Sequence, residues 1–402
     1  MLDWEGPLDA VKDRRKAPQI PARPIVRSAA VMFLSRLGSL NALEQTRPSR
    51  FWEKWLDHTL PSADTVGRVC ALTDEAELRA LLHHLYSRFK RMKALEPPAH
   101  GLIAALVDGH ESHATFRRHC PGCLERVIHT KQGDKTQYYH RHVTLQLVGR
   151  DFYMALDVEP QRPGEDEVAA SLRLLERILN TYPRAFDVIV ADALYADSRL
   201  FNYALSAGKD VIAVLKDERR DLLNDARLLF EQMSPVSMKN QYGECQYWDA
   251  EGFTSWSTVA KPVRVVRSQE KRTVRRQLDD TIEELHSEWM WVTTLSAARA
   301  SAYAVASLGH SRWTIENQGF NELANRWHAD HVYKHEPQAI LVFWLLAIAC
   351  LNVFLAFYVR NLKPAVRRAV SMLHIARQVM GELYRESSPG APGLSRAPPS
   401  CS

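Results

Sequence analysis

The sequence predicts an α/β protein: a mixed sheet flanked by helices, with a helical region before it and a β-rich insertion inside it. Three observations support this prediction. Short apolar runs alternate with amphipathic stretches between residues 101 and 216, which is typical of strands alternating with helices. Residues 29–60 and 74–95 carry apolar side chains at spacings of three and four, which predicts helices. Residues 234–289 are rich in Trp, Tyr, Val, Thr and Ser, which favours strands.

Changes in composition divide the chain into five predicted segments. Pro97 and Pro98 end the first helical pattern, and Pro, Ser and Gly dominate the last dozen residues, which is typical of disorder. The segments are an N-terminal helical region (1–98), the first part of the α/β domain (99–233), the β-rich insertion (234–289), the second part of the α/β domain (290–360), and a C-terminal helix with a disordered tail (361–402).

Within the α/β domain the predicted elements alternate regularly. Such alternation predicts a mixed sheet with helices on its faces, and functional groups in such sheets collect at strand ends. In chain order the elements are a buried strand (101–109), a hairpin (138–149 and 151–160), a helix with apolar positions from 168 to 178, a buried strand (186–195), a helix (197–207) and a strand (210–216).

Bulk composition argues against a disordered or a fibrous protein. Apolar residues make up 46% and charged residues 25% of the 402 residues, which is typical of a soluble globular protein. The net charge of +5 permits a nucleic-acid partner without requiring one. Six scattered cysteines form no disulfide framework, so we expect a reducing compartment, the cytoplasm. The charged N-terminus lacks the apolar core of a secretory signal.

Residues 339–357 form an apolar run of nineteen that is interrupted by Asn352. A run of this length could span a bilayer. The polar, His-rich segment before it is typical of a continuing globular fold, so we favour a helix buried in the core. We therefore expect no membrane partner, and a membrane-anchored protein remains the alternative.

Two acidic residues end predicted buried strands. Asp108 follows the apolar run GLIAALV, and Asp192 follows FDVIVA. Burying an unpaired carboxylate is costly, so a strand-end acid needs an explanation. Either residue alone could be structural, and Asp192 could cap the helix that follows it. The pair together favours a functional site.

A third acid, Glu316, lies in a predicted helix with little solvating charge (RWTIENQGFNEL). Arg312 precedes it by four residues and so shares its helical face, where a cation can steady the carboxylate or reach a phosphate. Three converging carboxylates suit a pair of Mg²⁺ or Mn²⁺ ions, because hard cations prefer oxygen ligands. Two such ions can activate the attacking oxygen and stabilise the leaving oxygen when a phosphodiester bond is broken.

This arrangement resembles the ribonuclease H-like catalytic domain of DDE transposases, in its IS-four-like branch from bacterial insertion sequences. Asp192 follows Asp108 by 84 residues and Glu316 follows Asp192 by 124, which leaves room for that branch's β-rich insertion. Asp192 with Tyr195 resembles its D-x-x-Tyr/Phe pattern. Arg312 with Glu316 resembles its Arg-x-x-x-Glu pattern. The likeness covers residues 100–358 and is poor for residues 1–98.

Two positions depart from the pattern of that branch. Gly309 stands where the pattern has Tyr, and Leu323 stands where it has Lys. These departures leave contacts to the terminal phosphate unassigned. Arg326 and Lys334 are candidates to replace them.

The resemblance implies a transposase that cleaves and transfers DNA strands at the ends of its own insertion sequence. It implies Asp108, Asp192 and Glu316 as metal ligands, double-stranded DNA as partner (terminal repeats and target), and a homodimer on paired ends. We expect the region 1–98 to recognise those ends. Two alternatives stay open: a ribonuclease H-like nuclease without strand transfer, and an inactive DNA-binding descendant of a transposase. Predicted DNA contacts near the acids are Arg312, Tyr195 and His110.

A basic stretch inside the insertion, residues 261–277, is a second candidate for DNA contact. Lys and Arg side chains dominate affinity for DNA through its phosphates. The alternative is a solvated β-hairpin. The residues predicted to contact phosphates are Arg264, Arg267, Lys271, Arg272, Arg275 and Arg276.

Cys120 and Cys123, in the segment HCPGCLERVIH, have the spacing of zinc ligands. A single CxxC is a weak match, since structural zinc sites usually have a second pair. A surface loop with reduced thiols is the favoured interpretation. The sequence contains no Gly-rich phosphate loop, GxSxG or HExxH motif.

Overall fold

A computed structural model describes residues 2–98, 100–240, 243–275 and 281–385. Its contacts divide the chain into two compact units. The first unit comprises Met1–Leu85, Arg117–Gly122 and Glu322–Ser402, and the second comprises Tyr86–Phe116 and Cys123–Asn321. The N-terminal and C-terminal helices thus fall into one unit, whereas the sequence divides them into separate segments. The predicted boundaries of the five segments stay predictions.

The first unit is helical. In chain order its helices are α1 (Glu5–Asp9), α2 (Ala22–Leu34), α3 (Leu40–Gln45), α4 (Phe51–Leu56), α5 (Ala63–Cys70), most of α6 (Glu75–Arg91), α11 (Pro337–Asn361), α12 (Pro364–Ala369) and α13 (Met372–Arg385). Ser39 and Ser62 cap α3 and α5 by accepting backbone N–H bonds, which satisfies donors that the first helical turn leaves unpaired. The predicted helices at 29–60 and 74–95 are present, the first as three shorter helices.

Helix α11 contains the apolar run. The helix is long and apolar enough to cross a membrane, but 94% of its most apolar window is buried. It packs against α2, whose side chains from Pro24 to Phe33 are themselves buried. A helix that is apolar on all sides needs such cover in water. The interpretation as a core helix is confirmed.

The second unit is built on a sheet that has ten strands among the described residues. Its order is β2-β3-β1-β5-β6-β10-β9-β8-β7, and β4 also pairs with β3. The strands are β1 (Ala104–Thr115), β2 (Leu124–Thr130), β3 (Gly133–Val148), β4 (Tyr153–Pro160), β5 (Val188–Ala191), β6 (Asp210–Val214), β7 (Val236–Asn240), β8 (Gly243–Phe253), β9 (Val263–Arg275) and β10 (Ile282–Thr293).

Helices flank this sheet. They are α7 (Glu167–Thr181), α8 (Ser198–Ser206), α9 (Arg220–Glu231) and α10 (Ala302–Ser311), which a π-helical turn (Ile315–Phe320) follows. Helix α7 is amphipathic, and its apolar side chains pack on β3 and β4. The predicted mixed sheet flanked by helices is confirmed.

Strand register aligns the two strand-end aspartates. Strands β1 and β5 are parallel, with Ala104 opposite Val188 and Val107 opposite Ala191. The next residue after Val107 is Asp108, which lies within β1 because this strand extends beyond the predicted end at residue 109, and the next residue after Ala191 is Asp192, directly after β5. Because neighbouring strands lie about 4.8 Å apart, the shared register brings the two acids to the same edge of the sheet.

One feature of the sheet differs from the sequence-based expectation. Strand β2 lies in the segment that we interpreted as a surface loop, and it pairs with β3 in antiparallel register. Strand β10 pairs with both β6 and β9, so the insertion continues the central sheet.

Candidate active site

Asp108 lies where β1 loses its neighbour β5, since β5 ends at Ala191 and β1 continues alongside β3. Its side chain is 13% exposed, and one carboxylate oxygen accepts a hydrogen bond from the backbone N–H of Gly109 at 2.9 Å. Burial, together with the charges of Asp192 and Glu316, raises the pKa of Asp108 to about 7. This group therefore needs positive charge nearby to stay ionised.

Asp192 follows β5 and caps the short 3₁₀ turn Ala193–Tyr195. Its carboxylate accepts a hydrogen bond from the backbone N–H of Leu194 at 3.0 Å. Burial raises its pKa, and the charge of Arg312 opposes that shift. Asp192 therefore caps this turn, whereas the helix that we expected it to cap, α8, is capped by Asp197. A cap that uses one carboxylate oxygen does not compete with a functional role.

Arg312 and Glu316 follow α10. The guanidinium of Arg312 contacts the carboxylate of Glu316 and lies 3.5 Å from that of Asp108. Glu316 lies on the π-helical turn, with a side chain that is 44% exposed. Such turns are rare in proteins, and those that occur are often at functional sites. The predicted Arg–Glu neighbourhood is confirmed, on a π-helical rather than an α-helical turn.

The three acids suit divalent cations. All are oxygen donors, and burial raises the pKa values of two of them, so their ionised forms are unfavourable without a cation nearby. A guanidinium already lies against two of the three carboxylates. Hard cations that keep several waters need few protein ligands, so this donor set fits Mg²⁺ or Mn²⁺.

The structure places Tyr195 and His110 differently. Tyr195 was predicted to contact DNA, but its side chain is fully buried and its hydroxyl donates a hydrogen bond to Glu167 at 2.7 Å. That prediction is wrong, because the ring has no surface to offer a ligand. His110 lies two residues beyond Asp108 and stacks on Phe320, with ring centroids 4.8 Å apart.

Arg264 is buried and fully engaged within the protein. Its side chain is 2% exposed, bonds both carboxylate oxygens of Asp249, and donates to the backbone oxygen of Ala300 at 2.7 Å. A phosphate contact would need these bonds to break. The predicted contact of Arg264 with DNA therefore does not fit the structure.

The remaining basic residues of β9 face an acidic partner strand. Arg267 pairs with Glu288 at 3.1 Å, and Lys271 pairs with Glu284 at 3.0 Å. These pairs offset part of the positive charge that the sequence of β9 suggests. Arg272 is exposed. Arg275 ends β9, and Arg276 lies outside the described residues.

The two cysteines of the CxxC motif lie on either side of the division between units, Cys120 in the first and Cys123 in the second. Both are buried free thiols. In the second unit, the sulfur of Cys123 lies 3.6 Å from Nε2 of His140. The favoured interpretation of a surface loop does not fit this burial. A zinc ion on Cys120 and Cys123 stays a prediction.

The structure explains one departure from the family pattern. A Cβ atom at position 309 would lie 2.1 Å from the indole nitrogen of Trp291, which is buried in the core. The ring of Trp291 thus occupies the space that a side chain at Gly309 would need. Leu323 is likewise buried. Arg326, a candidate to replace the missing Lys, pairs with Glu322 at 3.2 Å.

Sequence reasoning missed Glu167 and its contacts. Glu167 is the first residue of α7, where an acid is common because it suits the helix dipole, so nothing in the local pattern marks it. A faint signal was available in Gly109. A glycine directly after a strand-end acid can indicate close approach of another group.

The core has five strands in the order β4-β3-β1-β5-β6, with one acid within β1, a second directly after β5 and a glutamate on a later helical turn. This arrangement defines a ribonuclease H-like polynucleotidyl transferase. Comparison with protein families agrees. The family model for the transposase DDE domain matches residues 102–353, more than half of the chain, and all three acids lie inside the match. The chain belongs to the DDE transposase family. No curated protein matches it.

Membership defines the general activity. Proteins of this family bind DNA and cleave and transfer its strands, and they use divalent metal ions.

Proposed function

We propose that this chain is a transposase of the IS-four-like branch that acts on the ends of its own insertion sequence. Asp108, Asp192 and Glu316 hold two Mg²⁺ or Mn²⁺ ions. The observation that carries the proposal is the shared register of β1 and β5, which brings Asp108 and Asp192 to one edge of the sheet, where Arg312 links Asp108 to Glu316.

Each residue at the site has a chemical role in this proposal. When bound, the ions polarise the scissile phosphate and lower the pKa of an attacking hydroxyl or water. Asp108 binds from within β1 and Asp192 from the residue directly after β5, and the more exposed Glu316 completes the set. Arg312 contacts Glu316 and can donate to a phosphate oxygen. His110, stacked on Phe320 beside Asp108, contacts the DNA backbone.

The proposed reaction has two steps. Water first attacks a phosphodiester at the end of the element and frees a 3′-hydroxyl. In the same active site, that hydroxyl then attacks a phosphodiester of target DNA, which joins the element's 3′ end to the target's 5′ phosphate and releases the target's 3′-hydroxyl. Lys271, Arg272 and Arg267 on β9 position the duplex through its phosphates. The N-terminal helical region recognises the terminal repeats, and two chains act on paired ends in the bacterial cytoplasm, at the nucleoid.

The test uses a labelled duplex that carries the end of the element, with Mg²⁺ or Mn²⁺. Wild-type protein is compared with Glu316→Gln, Asp192→Ala and, as control, Glu176→Gln on the exposed face of α7. We expect metal-dependent nicking by wild type and Glu176→Gln, and loss of nicking with retained DNA binding in the other two. Near-normal nicking by Asp192→Ala would overturn the assignment.

A strand-transfer assay follows on the same proteins. Joined products of element end and target DNA are expected from wild type. Nicking without any joined product would indicate a nuclease. Failure of wild type both to nick and to bind Mn²⁺ would indicate an inactive DNA-binding descendant.

A further inference from the structure

Glu167 lies at the centre of a buried polar cluster beside the two strand-end acids. Its side chain is 9% exposed. One carboxylate oxygen accepts a hydrogen bond from the hydroxyl of Tyr195 at 2.7 Å, and the other accepts one from Arg141 at 2.8 Å. As the first residue of α7, Glu167 also benefits from the positive end of the helix dipole. The carboxylate is therefore held from three directions.

The same carboxylate packs against the backbone of β1. A Cβ atom at Gly109 would lie 2.3 Å from one oxygen of Glu167 and 2.7 Å from the other. No real side chain tolerates such distances, so the carboxylate lies directly against the residue that follows Asp108. Gly109 also donates its N–H to the Asp108 carboxylate. A shift of Glu167 would therefore move Gly109 and, through it, Asp108.

Tyr195 carries the connection to the second acid. Tyr195 belongs to the 3₁₀ turn that Asp192 caps, and its backbone N–H bonds the carbonyl of Asp192 at 3.3 Å. With its hydroxyl on Glu167, the ring holds this turn against the start of α7. The neighbouring Asp166, which caps α7, adds a contact to Arg199 of α8 at 2.7 Å.

We propose that Glu167 is a positioning residue of the metal site, which sets the separation of Asp108 and Asp192 without binding metal itself. Both of its oxygens are occupied and buried, so it is not a ligand. It acts through Gly109 on one side and through Tyr195 on the other. This inference rests on the proposed function, because it needs Asp108 and Asp192 to be metal ligands.

The test measures Mn²⁺ binding to the full chain by calorimetry, independently of cleavage. Groups that orient metal ligands commonly change metal affinity by about 10–100-fold when they are mutated. We expect Glu167→Gln to weaken Mn²⁺ binding within that range. Tyr195→Phe, which removes one hydrogen bond and keeps the ring, is expected to weaken it several-fold. Asp108→Asn sets the baseline for loss of a ligand.

Glu159→Gln is the matched control. Glu159 is also a buried glutamate of this unit, and it pairs with Arg173 at 3.0 Å and Arg177 at 2.8 Å. Its loss should lower the melting temperature comparably while leaving Mn²⁺ affinity at the wild-type value. A merely structural role for Glu167 predicts the same behaviour in both variants.

The outcomes separate this inference from the proposed function. Wild-type Mn²⁺ affinity in folded Glu167→Gln and in Tyr195→Phe would overturn the inference alone. An equal loss of affinity in Glu159→Gln would also overturn it. Mn²⁺ binding by wild type that Asp108→Asn leaves unchanged would instead overturn the proposed metal site.

Discussion

The guanidinium of Arg312 lies 3.5 Å from the carboxylate of Asp108 and also contacts Glu316. Its charge lowers the pKa values of both Asp108 and Asp192 against the effect of burial. Arg312 thus supplies, within the protein itself, part of the positive charge that this acidic site requires. A bound cation has to share the site with this guanidinium, which leads to the first prediction.

Arg312→Gln should bind Mn²⁺ more tightly than wild type. Removal of a cation next to the carboxylates strengthens the attraction of a second cation. We expect a gain of about tenfold, since two unit charges about 4 Å apart interact by about 1 kcal/mol in bulk water and by more near a protein surface. Calorimetry at pH 8.5, where protons compete little with metal, measures this gain. Arg272→Gln, a change at an exposed arginine of β9, is the control. Weaker binding by Arg312→Gln would show that the guanidinium organises the ligands instead.

Metal-free protein should lose stability as the pH rises towards 7. The pKa of Asp108 is raised to about 7 in the fold and is about 3.9 in the unfolded chain. The native state therefore holds a proton between these values that the unfolded state has released. The resulting stability is fully present below about pH 4 and is lost as the pH rises through about 7.

Asp108→Asn isolates this effect, because it cannot ionise. Its advantage over wild type in free energy of unfolding should grow between pH 5 and pH 8, on the order of 2 kcal/mol. Urea denaturation in the presence of EDTA at both pH values measures the difference. Parallel pH dependences of the two proteins would contradict the prediction.

Gly309→Ala should destabilise the protein by about 1–3 kcal/mol, as overpacking of a dense core usually does. The new Cβ would overlap the indole of Trp291. Gly381→Ala is a matched control, because Gly381 also lies in a helix and a Cβ there has no heavy atom within 4 Å. That change should stabilise by about 0.4–1 kcal/mol through helix propensity and the unfolded state. Equal melting temperatures for the two variants would contradict the packing argument.

Arg264 and Arg272 should behave in opposite ways despite lying on the same strand. Arg264→Gln leaves the Asp249 carboxylate without its buried partner and should cost about 3–5 kcal/mol of stability. Arg272→Gln should leave stability unchanged. In a plot of the logarithm of DNA affinity against the logarithm of salt concentration, the negative slope should be smaller in magnitude by about 1 for Arg272→Gln. The slope should be unchanged for Arg264→Gln. Melting curves and filter binding at several salt concentrations measure both quantities.

Local patterns were sufficient for the framework of the site. The apolar runs that precede Asp108 and Asp192 predict two buried strands, each followed by one acid. Because burial of a carboxylate is costly, an acid in such a position indicates a functional site. The four-residue spacing of Arg312 and Glu316 predicts their contact, which the structure confirms. These features depend on residues close in sequence, so they can be predicted from periodicity and spacing.

Local patterns were insufficient wherever a side chain's partner comes from a distant strand. The sequence of β9 predicts a basic surface, but the acids of β10 face it, and Arg264 turns inward to Asp249. The run that contains β2 has little apolar alternation, because its side chains after Leu124 are exposed or half-buried on both faces, so its pairing with β3 left no clear pattern.

Burial periodicity and short-range spacing are local properties, so the fold class and the two acids that follow apolar runs could be predicted from the sequence, and the match to the transposase DDE domain adds the family. The shared register of β1 and β5 at Asp108 and Asp192, the burial of Tyr195 and its hydrogen bond to Glu167 are visible only in the folded chain. The physical reason is that strand register and buried polar contacts are set by packing between segments far apart in the chain, and such packing leaves no periodic mark on either segment.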